Sequence, residues 1–308
     1  WSDIEASHGQ LGGGTGSNLG TGTRGVFFGR ATPSIVNSID FLTISTFGDS
    51  QDFGDMSSIG YAYATSSSSI RGFCAGGLHH GDTIDFITFS STGNATDTGN
   101  LTDSRYVLGG GCSDATRSIF AGGQDVASPY AAVDIMDYIT SASGGDAVDF
   151  GNLDAARTAL ASCSSSTRGL WAGSATPGAI NTIQYVTTAT TGNTVDFGDA
   201  IYTLQSSAGC SNATRGLLAG GYSPNVNTIQ YVTMATTGNG IDFGDMTLAR
   251  SHFGSCSSKT RGLFASALGN QDSIDSVEIM TTGNAVDFGD LTDGGHNIGG
   301  TSNGHGGL

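Results

Sequence analysis

A chain of 308 residues accommodates one large all-β domain or two average ones, and 50 glycines beside only 12% charged residues argue against a mainly helical fold. A net charge of −16, with Lys259 the sole lysine, repels phosphate backbones and argues against nucleic acid as a partner. No apolar run approaches the roughly 18 residues of a membrane helix, and no basic leader precedes an apolar stretch at the start. Trp1 in place of Met leaves processing, or a longer product, open.

In chain order the first element is residues 7–18, "SHGQLGGGTGSN", which reads as a degenerate strand. Residues 1–22 therefore form a segment of their own, either a first-strand copy or a link to another part of an assembly. "GQLGGGTG" superficially resembles a phosphate loop but has neither the lysine nor a following helix.

From there one sentence is rewritten six times. Its "(T)RG" arginine recurs as Arg24, Arg71, Arg117, Arg168, Arg215 and Arg261, at spacings of 47, 46, 51, 47 and 46 residues. Its "DFGD" step follows in phase at Asp52, Asp97 (as DTGN), Asp149 (as DFGN), Asp196, Asp242 and Asp287. In the fifth unit, residues 204–210 predict a first short strand and residues 216–219 a second. Residues 228–234 predict a third, with Ile229 and Tyr231 on one face and Gln230 and Val232 on the other, and residues 240–243 a fourth. Turns every 8 to 12 residues fit short antiparallel strands. Four strands per unit and six units predict an all-β, six-bladed β-propeller of four-stranded antiparallel blades over residues 23–293.

Residues 294–308, "GGHNIGGTSNGHGGL", copy the first strand once more, which makes seven first strands for six complete sets of later ones. Either terminus could supply blade one. The favoured arrangement uses the C-terminal copy as a latch and frees residues 1–22, and a seven-bladed ring would lack most of one blade.

The unit resembles a kelch repeat: Gly220-Gly221 matches the double glycine, "NTIQYV" the central strand and "FGDMTLAR" the closing segment with its arginine. Phe243 stands where kelch repeats usually carry tryptophan. The wording "TRGLLAGG", "NTIQYVT" and "ATTGN", with the tail from Ser302 to Leu308, also resembles a kelch-like family encoded by marine bacteriophages, especially those of cyanobacteria. That resemblance implies a virion structural protein, fibre-tip or appendage-like, made in the host cytoplasm. Its partners would be other virion proteins and a host-surface glycan or protein, and it could be a trimer. A capsid or tail decoration protein without a receptor role, and a polysaccharide-active enzyme, are the alternatives.

Nine of the eleven basic residues occupy two repeat positions: the six (T)RG arginines, and Arg105, Arg157 and Arg250 at the end of an "L/M-x-x-x-R" step. Pairing of the (T)RG arginines with the DFGD aspartates would tie strands or blades together. Aspartate-rich turns such as "GNTVDFGD" invite calcium, but they lack dense alternating carboxylates and read as turn chemistry. Five cysteines without a CxxC read as buried thiols, which suits a reducing compartment. The histidines show no metal spacing, and His79-His80 reads as a solvated loop pair. Glu5 and Glu278 are the only glutamates, and no unique carboxylate pair marks a glycosidase. No catalytic centre, metal or cofactor is expected.

Specificity is expected where the repetition stops. The loops after the GG step all differ ("RATPSIVNS", "LHHGD", "QDVASPYAA", "SATPGAIN", "YSPNVN", "SALGNQD") and hold all four prolines. Ring symmetry places them on one face, with Arg30, His79, His80, Tyr130 and Tyr222 as candidate contacts for a glycan or a protein.

Overall fold

The computed structural model describes residues 23–106, 110–127, 129–222 and 224–308. The N-terminal segment 1–22 lies outside the described residues. Those described form strands and turns without a helix, in six four-stranded antiparallel sheets and one two-stranded ribbon. The sheets are the blades of a six-bladed β-propeller. Their inner strands are Gly299–Ser302, Ala64–Ser67, Gly111–Ser113, Ala161–Ser164, Ala208–Ser211 and Gly254–Ser257, for blades one to six. Blade one is composite: Gly299–Ser302 pairs antiparallel with Arg24–Arg30, with Gly25 opposite Ser302 and Phe28 opposite Gly299. The C-terminal strand thus latches the ring.

Blade five shows the pattern: Ala208–Ser211, Arg215–Ala219, Val226–Thr233 and Ile241–Arg250. The first strand begins later than the sequence suggests, because Ser206 is left-handed at φ 51°. The fourth runs on to Arg250, which pairs with Val226 after an irregularity in register. The alternation of the central strand is real, but both of its faces are covered. Ile229 and Tyr231 pack toward Phe264 and Val277 of blade six, whereas Val232 and Met234 join Phe197 and Ile183 of blade four. Six apolar clusters, one per blade interface, form the core.

Three kinds of repeated contact close the interfaces, the first two at all six. Arg215 lies 4.4 Å over the Tyr231 ring and donates from Nη1 to the Ile279 carbonyl of blade six at 3.2 Å. The relay runs round the ring, from Arg24 to Phe89, Arg71 to Ala142, Arg117 to Thr188, Arg168 to Met234 and Arg261 to Ile44. The arginine–aspartate pairs anticipated from the repeat do not form. Asp52, Asp97, Asp149, Asp196, Asp242 and Asp287 are exposed on the outer strands. Register separates the partners: Asp242 lies opposite Gln230, whereas Arg215 lies opposite Thr233 at the far end of the same strand. A guanidinium therefore finds a carbonyl and a ring face, worth about 0.5–1 kcal/mol for an exposed cation–π pair.

The DFGD step has another purpose. Phe243 enters the core, and Gly244, at φ 145°, presses against the next blade's turn, where a Cβ would lie 2.4 Å from the Gly283 carbonyl. Gly283 N–H donates to the Phe243 carbonyl at 2.8 Å, and Asp245 N–H donates to Asn284 Oδ1 at 3.0 Å. Each outer edge is stapled by its neighbour's turn, which satisfies groups that would otherwise template association.

The third contact pairs a thiol with a glycine. Cys210 of blade five faces Gly262 of blade six, where a Cβ would lie 2.8 Å from Sγ, and Cys163 and Cys256 face Gly216 and Gly25 likewise. Blade two carries Ser66 in the cysteine's place, and blade three carries Ser118 in the glycine's. All five cysteines are free and buried, and burial raises every thiol pKa, so they act as packing atoms. Gly262→Ala is expected to cost about 2 kcal/mol by overpacking. In a Cys210→Ala background the same change should cost under about 0.5 kcal/mol, read from urea midpoints. Equal costs in the two backgrounds would disprove the steric pairing.

Candidate functional site

Small residues on the inner strands bring the blades close around the axis. Thr65, Ser162 and Ser255 alternate round the channel with Gly300, Gly111 and Gly209, and each hydroxyl donates to the adjacent glycine carbonyl at 2.7–3.0 Å. The strands end in six serines. Ser67, Ser211, Ser257 and Ser302 each donate to the serine carbonyl of the preceding blade. The relay breaks at Ser113 and Ser164, where His305 enters from the C-terminal segment. Its Nε2 lies 3.1 Å from Ser113 Oγ, and its Nδ1 accepts the Gly307 N–H at 3.0 Å. The proton therefore resides on Nε2. Residues 303–308 plug the channel at this end, and a cavity of about 100 Å³ remains above them.

His305 keeps some exposure along the axis but is surrounded by protein, and burial pushes its pKa down to about 4. Near the opposite mouth, burial and then His296 push His252 down to about 4 as well. Folding thus favours the neutral rings, and as pH falls below 6.5 the unfolded chain takes up protons first. Stability should be complete above about pH 6.5, decline between about 6.5 and 4, and level off for these groups below. Discounted for partial exposure, His305 should contribute about 2 kcal/mol of that decline. His305→Asn should shrink the slope of denaturation midpoint against pH in this window. An unchanged slope would place the titration elsewhere.

The divergent loops share the face opposite the plug. The channel mouth there is ringed by left-handed residues: Ala62, Ala159, Ser206, His252 and Asn297 all have positive φ. Their backbones join head to tail, with Ala62 N–H donating to Asn297 O, Asn297 to His252, His252 to Ser206 and Ser206 to Ala159.

The structure scatters the sequence-nominated contacts over this face. Arg30 is committed to Asp293 at 2.6 Å. His79 is exposed, left-handed at φ 73°, and set edge-on to Tyr61 with centroids 6.3 Å apart. Tyr130 and Tyr222 are 55% and 44% exposed, and Tyr222 stands edge-on to His252. His80 is not the solvated contact expected from the sequence. It is buried and sits 3.1 Å from Asp85. The central strand of the same blade supplies an acceptor that only an internal side chain can reach.

That acceptor belongs to a set the sequence reading missed. Asp40, Asp85, Asp137, Gln184, Gln230 and Asp275 occupy the same central-strand position, and all are buried. Each receives a donor from the preceding connector: Thr292, Ser57, Thr102, Asp154, Ile201 and Thr247, respectively. Arg105 and Arg250 ion-pair with Asp137 and Asp275, whereas Arg157, facing Gln184's blade, turns to Asp154 instead. Burial raises the Asp85 carboxyl, but hydrogen bonds from His80 and Ser57 outweigh it and hold the group ionised. A lone polar residue recurring inside "I-D-F" and "I-Q-Y" was the available signal.

Among the described residues no three of His, Cys, Asp and Glu gather to hold a metal ion. The fold and this face define a six-bladed β-propeller with a plugged axis and one irregular face. No protein-family model matches the chain, and no curated protein matches it.

Proposed function

We propose that this chain is a non-enzymatic recognition propeller of a bacteriophage particle, a fibre-tip or appendage component whose loop face meets a host-surface molecule or another virion protein. The observation that carries this reading is the asymmetry of the two faces. One face repeats the same arginine and turn contacts six times, carries the serine relay and is filled by the tail. The other carries six dissimilar loops and the exposed rings of Tyr130 and Tyr222. Side chains with acid–base chemistry support a structural rather than a catalytic use, since the buried carboxylates are spent between blades. The wording of the repeat and the tail, similar to kelch-like proteins of marine phages, supports the virion assignment.

Cryo-electron microscopy of particles carrying the protein tests it. Density at the end of a fibre or appendage with the loop face outward is the expected result. A loop face buried against a capsid or tail protein would replace receptor recognition with assembly or decoration. Turnover of a host polysaccharide by the purified chain would overturn the non-enzymatic reading.

A further inference from the structure

The loop face departs most from six-fold regularity between blades two and three. The unit running from Arg117 to Arg168 is the longest, and its Gln124–Asp125 pairs with Arg105–Tyr106 of the preceding unit as a two-stranded ribbon. This ribbon gathers aromatic side chains. Tyr106 donates its hydroxyl to Gln124 Oε1, and Gln124 Nε2 donates to the Tyr130 carbonyl, so one amide fixes two tyrosines. Burial, and then the nearby Tyr61 and Tyr130, hold the Tyr106 hydroxyl protonated. Tyr61 is tied to the adjacent loop by a bridge to Leu78 and carries His79 against its ring. His79 and Tyr130 are both left-handed, at φ 73° and 58°, a conformation that non-glycine residues adopt at a cost.

Charge narrows what such a platform takes. Four arginines lie toward the loop face, and all are committed: Arg30 to Asp293, Arg105 to Asp137, Arg157 to Asp154 and Arg250 to Asp275. The other six stack on aromatic rings at the opposite face. A ligand bearing sulfate or carboxylate finds no available guanidinium here, and the net charge of −16 opposes it. Fixed rings with amide, imidazole and phenol edges suit a ligand with apolar ring faces and hydroxyl edges.

Resting on the recognition function proposed above, we infer that Tyr61, His79, Tyr106, Gln124 and Tyr130 form a binding platform for an uncharged glycan, with pyranose faces packed on the tyrosines. The test uses the full chain on an array of neutral, sialylated and sulfated glycans, with calorimetry on the best ligand. Neutral glycans should lead. Tyr130→Asn and His79→Asn, substitutions that tolerate left-handed backbone, should each weaken binding at least tenfold at unchanged melting temperature. Preference for acidic glycans, or full affinity in the doubly substituted protein, would overturn the platform. Host-cell binding separates this inference from the broader reading. Binding that survives both substitutions and periodate oxidation of the cells keeps recognition and removes the glycan. No binding to cells or glycans removes both.

Discussion

Asp275→Ala is expected to destabilise the protein by about 3–5 kcal/mol, because it strands the Arg250 guanidinium in the blade interface. The pair is 2.8 Å apart, and its side chains are 0% and 1% exposed. Burial lowers the Arg250 pKa against the pull of Asp275, so the cation depends on its partner. Arg250 also donates to the Ser273 carbonyl at 2.8 Å, while Asp275 accepts the Thr247 N–H and hydroxyl. The chain already contains a neutral version of this site. Between blades four and five Leu204 stands in the arginine's place and Gln230 in the aspartate's, with Gln230 Oε1 accepting the Ile201 N–H at 2.8 Å. Arg250→Leu combined with Asp275→Gln should therefore unfold within about 1.5 kcal/mol of the parent. Urea denaturation of the single and double variants decides the matter. A double variant as weak as Asp275→Ala would show that the ion pair, rather than its neutralisation, supports this interface.

Removing residues 299–308 is expected to have a larger effect, above about 5 kcal/mol and comparable with the whole stability of a typical domain. The deletion takes away the inner strand of blade one, its pairing with Arg24–Arg30 and the contacts it makes with Ala64–Ser67 and Gly254–Ser257. It also removes His305 and the Ser302 and Thr301 hydroxyl links. The bared edge of Arg24–Arg30 invites association. Loss of a cooperative unfolding transition, with larger species on size-exclusion chromatography, is the expected outcome. A peptide spanning residues 296–308 should restore the transition when added in trans. A truncated chain that unfolds at the parent midpoint would show that the latch is dispensable.

Much of this architecture was legible because a closed repeat writes its geometry into the sequence. The arginine spacing set the number of blades and the turn residues set the strands, whereas the surplus copy over residues 294–308 only favoured a closure that the pairing of Gly299–Ser302 with Arg24–Arg30 decided. Contacts between blades were not legible in the same way. Nothing local indicates that Arg215 reaches Ile279, or that Gly262 leaves room for Cys210, since the partners lie 64 and 52 residues apart and meet only when adjacent units stack. Candidate contacts divided along the same line. Tyr130 and Tyr222, nominated by seeking aromatic residues where the repeat breaks, are exposed. His80 was misplaced because the neighbouring His79 is exposed, and one step along a turn reverses the direction of a side chain.

The sequence by itself determined the unit and the number of units, because periodicity and turn chemistry are local properties copied six times. Only the tertiary structure decided which polar groups are buried partners and which face solvent. Both faces of every blade lie against a neighbour, so alternation along a strand distinguishes one interface from the next rather than inside from outside.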